Sequence, residues 1–366
     1  MVTPMIQGNV VFTFHQTVSF SIRCLTGIII LAVLFTGTGC YYVHEGGSLL
    51  SHQLRSRPVS ACMADSSISG KVKNFFGEVA SIRTFAFDSL GLVENKNYTR
   101  YVPIDSNYLV AVLSVADSAS LKPYRWCYPI FGCFPLRAYH NINDARKAGE
   151  RFAKKGYEIC IGKSDGFSTL GIFSDPLYSF MADYPVFSVA RFLLHEQTHA
   201  TAYFHDVQFS EELATFIGDE GALEFLKIHY GNDSPEYCDA LDFLADQKTW
   251  IGLLRSLYMT LDTLYRQPID RSVKIKRKKE VVGAFRTMLH DKYDSLFTTE
   301  WYRGLETQSF NNAYLSVRMT YNLDLGLFEE LRRRRGGSLR AVVAFAKELK
   351  RRRGDPKMAL VEELER

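Results

Sequence analysis

At 366 residues, 46% hydrophobic and 23% charged, the chain is long enough to bury a sizeable core without disulfides and is not a disordered polypeptide. Its 44 Lys and Arg against 40 Asp and Glu leave a formal charge of +4, so there is no electrostatic case for nucleic acid as a partner.

The first charged residue is Arg23 and the next is Glu45. Between them, "CLTGIIILAVLFTGTGCYYVH" is apolar or small for most of its length, the pattern of an export signal or a membrane anchor. Its most apolar run, Ile28 to Phe35, is short for a span and suits a signal-peptide core. Gly37, Thr38 and Gly39 lead into Cys40, as small residues do before the lipid-modified cysteine of a bacterial lipoprotein, although Gly37 stands where such sites usually carry Leu. The expectation is a leader over 1–39 that ends at a lipidated Cys40, with an uncleaved anchor as the alternative. Either would tie the chain to the membrane of a bacterial cell envelope, facing the periplasm or the exterior.

From 40 to 366 a single unit is expected, with an α+β part over 40–184 and a helical part over 185–366. Apolar positions at three- and four-residue steps (Val72, Phe75, Phe76, Val79, Ile82) predict a helix from about Ser66 to Leu92. "YLVAVLSV" (108–115) and "YEICIG" (157–162) read as strands, the second preceded by a helix from about Ile142 to Lys155. The stretch "GFSTLGIFSDPL" (166–177) reads as a loop or short edge strand. Beyond it the chain is almost all helix, over 185–203, 210–230, 236–265, 272–294, 307–321 and 338–351. Pro185 suits a first turn, Ser210 an N-cap and Gly231 a terminator. The runs "RRRR" (332–335) and "KRRR" (350–353) read as solvated helix ends.

Seven cysteines are present: Cys24, Cys40, Cys62, Cys127, Cys133, Cys160 and Cys238. Cys127 and Cys133 lie in "WCYPIFGCF", where Pro129 and Gly132 favour a tight turn, and in an oxidising envelope a disulfide is expected there. Metal binding by this pair is the lesser reading, since no second cysteine pair stands at ligand spacing. The sequence leaves the partners of Cys62, Cys160 and Cys238 open.

The stretch that carries chemistry is "LLHEQTHATAYFHDVQFSEELATF" (193–216). His195 and His199 are four residues apart, so on a helix both imidazoles reach one ion, while Glu196 projects from a neighbouring part of the face. Zinc held by such a pair lowers the pKa of its bound water to about 7, and the glutamate takes the proton as general base. With nine histidines in the chain, an accidental H-E-x-x-H is expected in roughly one such sequence in a hundred. A third ligand is then required. Glu211, near the start of the next predicted helix, is the candidate, with Ala214 three residues on allowing two helices to approach. Read alone, Glu211 would be a first-turn acid facing the helix dipole. His205, in the turn, is the alternative ligand.

"HEQTH" followed by "SEELATF" resembles the gluzincin zinc peptidases, in which a glutamate in an N-E-x-x-A context completes H-E-x-x-H. More specifically, the chain is similar to the bacterial lipoproteins named predicted aminopeptidases. The likeness includes "CYYVHEGGSLLSHQLRSRPV", "WCYPIFGCFPLRAYH", "GYEICIGKSDGFSTLGIFSDPL" and "NNAYLSVRMTYNLDLGLFEEL" (311–331). The resemblance implies a zincin-like catalytic core with one Zn2+ per chain held by His195, His199 and Glu211. It implies Glu196 as base and a peptide as substrate. It also implies a later tyrosine that stabilises the oxyanion, here Tyr321 with Tyr314 second. Three positions depart from the pattern: Ser210 replaces the usual Asn, Leu213 replaces Phe, and Thr215 stands where some gluzincins carry an acid that orients a histidine. "GLVEN" (91–95) echoes the G-x-M-E-N segment of gluzincin aminopeptidases. It lies a hundred residues before His195 and is read as coincidence. The resulting expectation is a predominantly helical α+β zinc peptidase, an aminopeptidase by resemblance. Its rivals are an envelope endopeptidase, a cell-wall peptide amidase, and a non-catalytic zinc-binding lipoprotein.

Overall fold

The computed structural model describes residues 47, 50–128, 132–165, 174–320 and 324–366. The 1–39 leader, Cys40, Tyr321 and most of "GFSTLGIFSDPL" therefore lie outside the described residues. The chain divides after Arg55, and residues 50–55 of the first unit are helical. The second unit, Ser56–Arg366, is predominantly helical with small sheets, an α+β protein. Among the described residues no helix is long and apolar enough to cross a membrane.

Two short strands and two helices open the second unit: β1 (Arg57–Pro58), α1 (Val59–Ala64), α2 (Gly70–Asp88) and β2 (Arg100–Val102). Helix α2 starts four residues later than its periodicity suggests, because Ser69 accepts a hydrogen bond from Val72 N and caps it. The strands β3 (Val110–Asp117), β6 (Leu136–Tyr139) and β7 (Tyr157–Ser164) form an antiparallel sheet in the order β6-β3-β7. Between β3 and β6, β4 (Trp126–Tyr128) and β5 (Gly132–Phe134) pair with Cys127 opposite Cys133, and these two form a disulfide.

Alternation in β3 and β7 presents two different faces. Leu113, Ile159 and Ile161 meet α3 (Ile142–Ala153) at Gly149, where an added Cβ would lie 2.9 Å from Ile159 Cδ1. Ser114, on the other face, donates to Ala313 O of α8 (Asn312–Thr320) at 3.3 Å. The sheet is thus held between one helix from its own connection and one from the C-terminal half. β8 (Leu177–Tyr178) runs parallel to β2, which also pairs with β1, and a 3-10 turn (Ser179–Asp183) leads into the helical half.

That half consists of α4 (Val186–Thr201), α5 (Val207–His229), α6 (Pro235–Arg266), α7 (Arg271–Leu296), α8, α9 (Gly326–Arg334), α10 (Leu339–Leu349) and α11 (Pro356–Glu365). Two cores result. The larger joins α2, α4, α5, α9, α10 and α11 around Ile82, Leu194, Phe216, Phe225 and Phe328. The smaller joins α6, α7 and α8 around Trp250, Leu261, Phe285 and Phe310. The predicted helix over 307–321 is shorter, α8 following a 3-10 turn at Leu305–Thr307. Helices α9 and α11 have no counterpart among the elements predicted from periodicity.

Candidate functional site

Helix α4 carries H-E-x-x-H. Pro185 precedes it, and Val189, Ala190, Leu193 and Leu194 are buried, which seats the helix against the larger core. Its opposite side turns His195, Glu196 and His199 outward, all partly buried. Gln197 and Thr201, rotated about 200° and 240° from His195 at 100° per residue, grip the chain behind the helix. Gln197 Nε2 donates to Val93 O, and Val93 N donates to Thr201 Oγ1 at 2.9 Å. The "GLVEN" segment therefore braces the back of this helix, away from the histidines.

Helix α5 supplies the third group. It begins at Val207, not Ser210: Asp206 is the cap, accepting from Phe209 N at 3.1 Å. Glu211 consequently sits in the second turn, which removes the reading of a first-turn acid facing the dipole. Its oxygens lie 3.5 Å from His195 Nε2 and 3.4 Å from His199 Nε2, and the two imidazole nitrogens are 3.2 Å apart. Four ligands around zinc at 2.0–2.2 Å place neighbouring donors about 3.3–3.6 Å apart. The donor set and its spacing fit a tetrahedral ion. Burial pushes the Glu211 carboxyl up, but the two imidazoles outweigh it and hold it at about 2. His205 is exposed in the turn after α4 and outside this cluster.

Groups around the three donors fix their orientation. Ser210, at the departure from the Asn pattern, is buried with Oγ 3.5 Å from His199 Nδ1. Were Nε2 to hold an ion, Nδ1 would carry the proton and Ser210 Oγ would be placed to accept it, as an outer partner of a metal-bound histidine does. At the third departure, Thr215 lines the same cavity as His195, and the acid two turns beyond Glu211 is engaged elsewhere. Asp219 is buried, pairs with Arg191 and lies within electrostatic reach of His195. Burial raises its pKa, with Arg191 opposing.

Close approach of α4 and α5 depends on Ala214, fully buried, and on Gly218. A Cβ on Gly218 would lie 2.9 Å from Arg191 O and 3.3 Å from His195 Cβ. Gly218→Ala is expected to destabilise by about 1–3 kcal/mol and to weaken metal binding together, because the helix it pushes away carries His195. Thermal unfolding and metal titration of the variant check this; unchanged metal affinity would contradict it.

His195 and Glu196 line a cavity of about 510 Å3, within the range of a small-ligand site. Lys163, Asp165, Tyr184 and Arg191 also line it. Lys163 Nζ donates to Asn107 Oδ1 at 2.9 Å and sits 5.0 Å from the Tyr108 ring centre, and Arg191 is held by Asp219 and Gln247. Asp165 is partly buried with a hydrogen bond from the Tyr184 hydroxyl, and burial raises its pKa. Among the described residues no cation forms an ion pair with it. No hydrogen bond from a described residue engages Glu196.

Tyr321 lies outside the described residues. Tyr314 packs in the smaller core, its ring 5.8 Å from that of Phe310. Among the described cysteines, Cys62, Cys160 and Cys238 are free. Asp165, Asp219 and Gly218 are not evident from the sequence pattern as site residues. The available signal for Gly218 is a glycine in the middle of a helical pattern, which marks close backbone approach.

A family model described as "Putative aminopeptidase" matches residues 40–360. No curated protein and no solved structure matches the chain.

Proposed function

The chain belongs to the "Putative aminopeptidase" family, and from that premise we propose that it is a zinc peptidase of gluzincin type that takes peptides by their free amino end. The observation that carries the reading is the triangle of His195, His199 and Glu211, with donor separations of 3.2–3.5 Å on two interlocked helices. These three residues would hold one zinc. Bound there, zinc supplies a water of lowered pKa and polarises the peptide carbonyl. Glu196, beside the donors and lining the cavity, accepts that proton and delivers it to the departing amine. Tyr321 is retained as the oxyanion donor.

The cavity favours an exopeptidase. The Lys163 and Arg191 cations are already engaged, whereas among the described residues Asp165 has only the Tyr184 hydroxyl as partner. Its carboxylate is suited to the ammonium of a peptide's first residue. The family match begins at Cys40, where the leader reading starts the mature chain. That supports a lipid-anchored protein of a bacterial envelope.

Comparing a free tripeptide with its N-acetylated form tests the substrate reading. The free peptide is expected to be cleaved with the higher kcat/KM. Asp165→Asn is expected to lower that value about 10- to 100-fold, the worth of one charge-assisted hydrogen bond, and to leave the acetylated peptide unaffected. Equal cleavage of both peptides would favour an endopeptidase.

A further inference from the structure

Helices α4 and α5 each carry a stripe of residues that runs from the cavity through the metal donors. On α4 it passes through Phe192, His195 and His199 at three- and four-residue steps; on α5 it passes through Thr215, Glu211 and Val207 at steps of four. Phe192 and Thr215 line the cavity, and His195, His199 and Glu211 form the donor triangle. The other end of both stripes, beyond the donors, is apolar and open. Val207 is 50% exposed there, and Tyr203, in the turn after α4, is 41% exposed with its ring centroid 6.1 Å from that of His199.

The turn holds Tyr203 there from both sides. Ala202 before it is buried and its N–H donates to Thr198 O at 2.8 Å, while Lys350 Nζ donates to Thr201 O at 3.3 Å. Phe204 after it is buried against Phe209, centroids 4.9 Å apart, and its N–H donates to Ser210 Oγ at 3.3 Å. Between two pinned residues, the one turned outward is thus a large aromatic beside a metal-donor histidine. An exposed tyrosine ring held in this way offers contact area at little cost in side-chain entropy, which suits it to binding a partner group.

We propose that Tyr203 is a specificity-determining residue: its ring receives the side chain of the residue that follows the scissile bond, and it selects an apolar one. A peptide whose amino end enters the cavity and whose carbonyl lies at the donor triangle has its next residue on the far side of the donors, where Tyr203 and Val207 stand. Neither of these lines the cavity, so the ring reads the departing part of the substrate and not its first residue. Val207 adds a second apolar surface at the same end of the stripes. The proposal deepens the peptidase reading and rests on it.

The test compares Leu-Phe with Leu-Ser, two dipeptides that differ only beyond the scissile bond, on the zinc-loaded full chain. The wild type is expected to cleave Leu-Phe with a kcat/KM about 10- to 100-fold higher, the worth of burying one large apolar side chain. Tyr203→Ala is expected to remove most of that ratio, and Tyr203→Phe, which keeps the ring, is expected to retain it. A ring that merely orients His199 would, once removed, slow both peptides together and leave the ratio as it was. That result overturns the proposal, and so does a wild type without preference between the two peptides. A wild type that binds zinc and cleaves neither peptide sinks the peptidase reading. The dissociation constants of the two uncleaved dipeptides, with and without Tyr203→Ala, then decide the contact by the same ratio.

Discussion

Glu196→Gln is expected to bind as much zinc as the wild type and to lose about 10²- to 10⁴-fold in kcat, the range typical of removing a positioned general base. The two effects separate because of where the side chain lies. His195 and His199 share one stripe of α4 with Glu211 facing them, and the donor triangle closes without Glu196. Glu196 instead lines the cavity, and no hydrogen bond or ion pair from a described residue engages it. Gln keeps the volume and loses only the capacity to accept and return a proton. A structural zinc site would need no acid at this position. A Glu196→Gln protein that cleaves peptides like the wild type would therefore leave zinc as a brace and return the chain to the non-catalytic reading. Zinc content and steady-state kinetics on the same preparation decide the question.

What could be read in the sequence is what one helix or one strand determines locally. The spacing of His195 and His199 fixes their shared face, and Ala214 signals that another helix comes close. Strands β3 and β7 are visible in their β-branched residues, and α3 between them in its own periodicity. The start of α5 differs from the predicted one because Ser210 and Asp206 are both good caps, and only the chain's path out of α4 selects the aspartate. Ser210 is then free to meet His199, a contact that depends on how two helices cross. Asp165 lies 30 residues from His195. Its place depends on how strand β7 pairs with β3, which local periodicity does not encode. Helices α9 and α11 are short, and the Arg332–Arg335 run within and just after α9 hides its two apolar anchors, Phe328 and Leu331.

His199→Ala is expected to bring zinc from about one per chain to near none at micromolar protein, and with it all peptide cleavage. His199 is the central member of the cluster, within 3.2 Å of His195 Nε2, 3.4 Å of a Glu211 oxygen and 3.5 Å of Ser210 Oγ. Its removal leaves two donors, where a catalytic zinc site requires three from the protein. It also deletes one of the two imidazoles that hold the Glu211 carboxyl at about 2. An ion that binds the folded chain and not the unfolded one raises the unfolding temperature as its concentration exceeds its dissociation constant. Added zinc should therefore stabilise the metal-stripped wild type and leave His199→Ala where it was. Magnesium should do little in either, since two imidazoles and one carboxylate are a poor set for a cation that prefers oxygen. If His199→Ala kept its zinc and its thermal response, the ion would have to be bound elsewhere in the chain. The close packing of α4 on α5 would then be scaffolding for the cavity alone.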